Sequence, residues 1–130
     1  MIWRGLIAAG LTAGLSGPVH AESWTCTYPG YDSARTPVIL RYVLNGGTLT
    51  EKINFGTMPW TVPYKVLVDD SFAVIAVSTF SEKDAGNQYA ELEAVTVIID
   101  KENNKFLRSD ALMSEKQSSP LQRQGTCLKD

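Results

Sequence analysis

The chain is poor in the groups that most enzymes and metal proteins rely on. It has one histidine, His20, and two cysteines, Cys26 and Cys127. His20 falls inside what reads as a leader peptide, so the mature chain is expected to have no histidine. A serine or cysteine nucleophile then lacks its usual base, and a zinc site lacks its commonest ligand. Lysine and arginine occur singly among acids rather than in clusters, which argues against a nucleic-acid surface. Long apolar runs are missing too. The longest, Leu6 to Leu15, is about half of the roughly 20 residues a membrane-spanning helix needs. No stretch carries a convincing helical period; Ala111 to Gln117 comes nearest and is short and polar. There is no internal repeat and no sign of a second domain.

Residues 1–21 have the layout of a Sec-type signal peptide: Arg4 near the start, the apolar run, then Gly17-Pro18 and the small residues Val19 and Ala21 at the positions a signal peptidase reads. The expected mature chain is a single domain, 22–130. Removing Arg4 leaves 11 of the 12 Lys and Arg against 14 Asp and Glu, a net charge near −3. A Gram-negative periplasm is the expected location, with secretion as the alternative. In an oxidising compartment, an even pair of cysteines reads as a disulfide. Cys26 to Cys127 would close nearly the whole domain. On chain-entropy grounds a loop of that size gives about 4–5 kcal/mol.

What is present in quantity is two-residue alternation. Ser23 to Tyr28 puts Trp24, Cys26 and Tyr28 on one face. Val38 to Leu44 points Val38, Leu40, Tyr42 and Leu44 inward, with Arg41 opposite. Asn45-Gly46-Gly47 is a strong hairpin turn, and Thr48 to Phe55 returns with Leu49, Ile53 and Phe55 on one face. Gly56 to Pro63, with two prolines, predicts a loop. Tyr64 to Phe80 predicts a hairpin about Asp69-Asp70-Ser71, with Tyr64, Val66 and Val68 sharing a face. Phe72 to Phe80, apolar on both sides, is the candidate central strand. Ser81 to Tyr89 is polar, Leu92 to Asp100 is an apolar strand, and Lys105 to Ala111 a more polar one. Met113 to Gln124 predicts a surface excursion. About seven or eight short strands joined mostly by tight turns predict an all-β, up-and-down antiparallel β-barrel with its termini joined by the disulfide. A β-sandwich is the alternative.

Paired carboxylates, Asp69/Asp70, Glu82/Asp84, Glu91/Glu93 and Asp100/Glu102, lie in or beside expected turns, where acids serve solubility. They give no catalytic residue, and the chain is expected to be no enzyme. Asp100 to Asn104 begins like a calcium loop, but Lys105 stands at the sixth position and Ala111 at the twelfth. No metal or cofactor is expected. Met58-Pro59-Trp60 either exposes Trp60 as an anchor for a partner or folds it back to plug one end of the barrel. In a domain short of core the plug is favoured.

Ala85-Gly86-Asn87-Gln88-Tyr89, together with Cys26 in the first strand and Cys127 at the end, resembles the small periplasmic inhibitors of c-type lysozyme. Those are antiparallel barrels whose Ser-Gly-x-x-Tyr loop enters the lysozyme cleft. Gly86 and Tyr89 match that motif; Ala85 replaces its serine, and the Trp and Lys-Gly found after it in the family are absent. The whole mature chain is also similar to small exported bacterial proteins of unknown function. The resemblance implies a protein-binding module that inhibits a cell-wall hydrolase, with Trp60, Gly86, Asn87 and Tyr89 as candidate contacts. The alternative is a carrier of a small apolar ligand inside a lipocalin-like barrel. Bulky inward residues such as Tyr42, Phe72 and Ile98 predict a filled interior, against the carrier. A structural envelope component is a third possibility.

Overall fold

Alternating apolar and polar residues favour strands here, because a strand sends successive side chains to opposite faces. The computed structural model describes residues 21–30, 32–55, 58–83, 90–113 and 118–130. Its strands are β1 (Glu22–Tyr28), β2 (Val38–Asn45), β3 (Thr48–Phe55), β4 (Met58–Asp69), β5 (Ala73–Lys83), β6 (Ala90–Asp100), β7 (Lys105–Met113) and β8 (Ser118–Lys129). They form a closed antiparallel barrel in sequence order. β1 closes onto β8 through the pairs Trp24↔Lys129 to Thr27↔Thr126. The Cys26–Cys127 disulfide lies within that closure, on residues that face each other in register.

One end of the barrel is filled. Trp24, Leu44, Leu49, Val74, Ile99 and Phe106 are buried there. Lys101 caps the packing, with its ammonium 5.9 Å from the centre of the Trp24 ring. That ammonium donates to Asp69 Oδ1 and the Asp70 carbonyl. Asp69 reaches it through a β-bulge between Val66 and Val68. The extra residue inverts the facing of the strand beyond it: Val66 pairs with inward Ala76, whereas Val68 pairs with outward Ile75. Val68 therefore does not share a face with Tyr64 and Val66, as simple alternation predicts. The C-terminal Asp130 braces the outside, accepting bonds from Ser23, Thr25 and Arg41.

Several sequence expectations change. Gly56 to Pro63 is not simply a loop, because Met58 to Pro63 begins the long strand β4. The expected excursion at Met113 to Gln124 is largely β8. Phe72 stands in the β4–β5 turn, 59% exposed, and Ile98 faces outward between Ile75 and Leu107. Of the three residues expected to fill the interior, only Tyr42 does so. A closed ring also has no central strand.

The other end of the barrel parts along two seams. β4 pairs with β5 only from Lys65↔Val77 to Asp69↔Val74. Among the described residues, the remainder of β4 pairs with β3 alone and the remainder of β5 with β6 alone. The prolines fit this arrangement. The Val66 N–H donates to Gly47 on the β3 side, so alternation turns the backbone groups of residues 59, 61 and 63 toward β5. Pro59 and Pro63 thus lack an N–H only where no ladder exists, and they keep the β3 ladder intact. Similarly, Cys127 donates to Asn104 on the β7 side, which turns Pro120 toward the β1 side, beyond the last β1 pair. The barrel is one ring at its filled end and two half-sheets, β1–β4 and β5–β8, at the other.

Tight turns fix the register. Gly46 takes φ +63° between β2 and β3, a conformation glycine adopts without penalty. The carboxylates of Asp70 and Asp100 each accept two backbone N–H bonds from residues two and three positions later. For Asp70 the backbone bonds from Phe72 and Ala73 lower the pKa; for Asp100 the bonds from the Asn103 side chain and backbone do so. Stability from a lowered carboxylate is present above its ordinary pKa, 3.8 here, and is lost as pH falls through the folded value. In acid titrations of the unfolding midpoint, the stability gap between wild type and an Asp70→Ala, Asp100→Ala variant should therefore close below pH 3.8. Gly125 marks the point where β8 crosses toward β1, and a Cβ there would collide with the Thr27 carbonyl and the Phe106 ring. Gly125→Ala should lose about 1–3 kcal/mol in urea unfolding. Gly47→Ala, which meets open space, should stay within about 0.5 kcal/mol.

Candidate functional site

The half-sheets enclose a cleft of about 470 Å³, lined mainly from β3 to β7. Ile53, Val62 and Val95 give it apolar walls, with Trp60 and Phe80 on opposite sides. β4 supplies Trp60, Val62 and Tyr64 from one edge of the β4–β5 seam, and β5 supplies Ser78, Thr79 and Phe80 from the other. The cleft exists because the β4–β5 ladder stops above it.

Its floor is polar and buried. Glu51 is fully buried, at a position where strand alternation places it between the inward residues Leu49 and Ile53. Its carboxylate accepts the Tyr42 hydroxyl at 2.6 Å. Arg108 Nε and Nη2 donate to its two oxygens at 3.0 and 3.2 Å. Arg108 Nη1 also lies 3.7 Å from Asp110 Oδ2. Burial, followed by the Glu51 charge, pushes the Tyr42 pKa up and keeps it a hydrogen-bond donor. Burial opposes the Arg108 charge, but the hydrogen bonds and charge of Glu51 outweigh it and raise the guanidinium pKa. Glu51 belongs to the first half-sheet and Arg108 to the second, so the pair spans the interior.

Two polar atoms at this level have no hydrogen-bond partner among the described residues. The Tyr64 hydroxyl is one; the residue is 1% exposed and lines the cleft. Glu51 and Arg108 both lie near it without completing a well-formed hydrogen bond, and burial, then the Glu51 charge, holds its pKa above the ordinary value. Asp110 Oδ1 is the other. Buried polar atoms are ordinarily satisfied; the Tyr64 hydroxyl belongs to the cleft lining, whereas Asp110 does not.

Trp60 is not a plug. It is 58% exposed on the rim and also walls a second, more open groove of about 590 Å³ with Ile39, Arg41, Lys52 and Pro59. Gly86, Asn87 and Tyr89 lie outside the described residues, as do 1–20 of the expected leader. Cys26 and Cys127 are buried in the core. Glu93, expected beside a turn, sits in β6 and lines the cleft. Glu51 and Arg108 do not stand out by residue type. Both occur in the inward phase of their strands, and that phase is the signal that could have found them. No family model, curated protein or solved structure matches this chain. The cleft's own geometry therefore carries its interpretation.

Removing one partner of a buried ion pair costs about 3–5 kcal/mol, whereas an apolar replacement of both is close to neutral. Arg108→Met should lose stability on that scale in urea unfolding. The double variant Glu51→Leu, Arg108→Met should recover most of the loss, giving a large coupling energy in the double-mutant cycle.

Proposed function

We propose that the protein is a non-enzymatic, periplasmic binding module that takes a small, largely apolar ligand into the cleft between its half-sheets. The observation that carries this is the Tyr64 hydroxyl, buried and without a well-formed hydrogen bond among the described residues, in the lining of a cavity open to the outside. Apolar walls around a few convergent polar groups are the usual make-up of a small-molecule site. The filled end sets the depth to which a ligand penetrates. A disulfide across β1 and β8 supports an oxidising compartment. In this reading the groups at the floor bind and orient the ligand.

Exposed Trp60 favours a second interpretation, a protein partner such as a cell-wall hydrolase held against the rim, since rigid aromatics dominate binding hot spots. The resemblance to lysozyme inhibitors is consistent with it. One set of measurements separates the two. The mature protein should enhance the fluorescence of a neutral naphthylamine dye, and Val62→Trp, which fills the cleft, should abolish that signal while Trp60→Ala weakens it. A protein that ignores the dye but inhibits c-type lysozyme, with inhibition relieved by Trp60→Ala, would replace the ligand carrier with the inhibitor.

A further inference from the structure

We infer that the open groove beside Trp60 is a second site, which docks a protein partner through a segment carrying a carboxylate next to an apolar side chain. The groove arises where β2 and β3 separate. Their ladder ends at Leu40↔Ile53; beyond it Ile39 pairs with β1 alone and Asn54 with β4 alone. Ile39, Pro59 and Trp60 wall the resulting space, and Arg41 and Lys52 add their charges to it. Ile39 is 57% exposed and Trp60 58%. A small ligand is ordinarily enclosed over most of its surface. Walls this open suit a side chain presented by a larger body, and aromatics so placed anchor protein interfaces.

Charge sets the partner's sign. No acid is found among the described residues lining the groove. Arg41 and Lys52 lie directly opposite each other on β2 and β3, where like charges lower stability. Arg41 is answered by Asp130, which also accepts bonds from Ser23 and Thr25 on β1. Lys52 makes no ion pair among the described residues. Lys65 continues the same outward phase of β4 as Thr61, the residue opposite Lys52. The outward positions of β2, β3 and β4 as far as Lys65 thus carry three cations and no acid, in a chain with 14 acidic and 12 basic residues. A like-charge pair that one neutral residue would relieve belongs where a site, rather than the fold, requires it. A carboxylate set between Arg41 and Lys52 replaces their repulsion with two attractions, while its apolar neighbour rests on Ile39 and Trp60. Three cations fall short of the cluster of about four to eight that marks an anionic-lipid patch, which favours a protein segment over a membrane.

The test is an NMR titration of the isotope-labelled mature protein at low salt with three N-acetylated, C-amidated peptides, Leu-Glu-Leu, Leu-Gln-Leu and Leu-Lys-Leu. The Trp60 indole signal is assigned with Trp60→Phe. Leu-Glu-Leu should shift the Trp60 indole and the Lys52 amide at a concentration about fivefold lower than Leu-Gln-Leu, the scale of an exposed ion pair. Leu-Lys-Leu should be weakest, and added salt should narrow the differences. Lys52→Glu should invert the order. Lys52→Gln should reduce the preference for Leu-Glu-Leu yet keep or raise the urea midpoint, because it removes the like-charge pair. Lys52 lines the groove and not the cleft, so neither variant should alter binding of the neutral dye, and a failure here leaves the cleft reading standing. Equal affinity for the three peptides, or no shift at Trp60 with any of them, overturns the inference. If phosphatidylglycerol vesicles bind the wild type but not Lys52→Glu while the peptides do not bind, an anionic lipid surface replaces the protein segment.

Discussion

The Glu51–Arg108 ion pair is the interaction on which this architecture depends. A fully buried carboxylate is tolerable only when its charge and its lone pairs are answered, and Tyr42 and Arg108 answer them together. The pair joins β3 to β7 across the interior, at the level where the ring gives way to two half-sheets. Below it, packing is apolar and closed by Lys101. Above it, among the described residues, lies the cleft. The pair is thus both the floor of the cleft and the strut that fixes the distance between its walls.

Opening one end of a barrel exposes strand edges, which ordinarily invite pairing with another chain. This chain limits that hazard with proline. Pro59 and Pro63 fall at the positions of β4 that face the seam, and Pro120 at the corresponding phase of β8. They block the edge without weakening the ladders that remain. The filled end compensates for the open one. There the disulfide, the bridges around Lys101 and the Asp130 brace hold β1, β6 and β8 together. Rigidity is concentrated at one end, and the segments with single ladder partners gather around the cleft. Such segments open more cheaply than doubly paired strands, which suits a site that must admit a ligand.

The sequence by itself determined the fold class. Period-two alternation, the Asn45-Gly46-Gly47 turn, the Asp100 to Asn104 turn and the absence of helical periodicity all express local rules. Among the described residues they give strands and turns, with the alternation broken at the β4 bulge. The inward face of β2, Val38, Leu40, Tyr42 and Leu44, was legible for the same reason, as was the pairing of the only two cysteines. Local rules also misled. Two prolines in Gly56 to Pro63 signal a loop by propensity alone, because whether a proline is tolerated in a strand depends on which neighbour its missing N–H faces. That is a property of the register of three strands. The bulge at Leu67, which turns Val68 outward and Asp69 toward Lys101, is set by the fit of β4 to β5.

The site was decided almost wholly by tertiary structure. Glu51 and Arg108 are separated by 57 residues, and each alone is a charged residue in a strand, which sequence reasoning assigns to solvent. Their partnership exists only because the barrel sets β3 against β7. Whether the interior was filled or hollow depended likewise on how far the β4–β5 and β8–β1 ladders run. Side-chain volumes could not answer that, because two of the bulkiest candidates, Phe72 and Ile98, point away from the interior. Alternation along a strand specifies two faces; only closure of the ring specifies which face is inside and what it meets there.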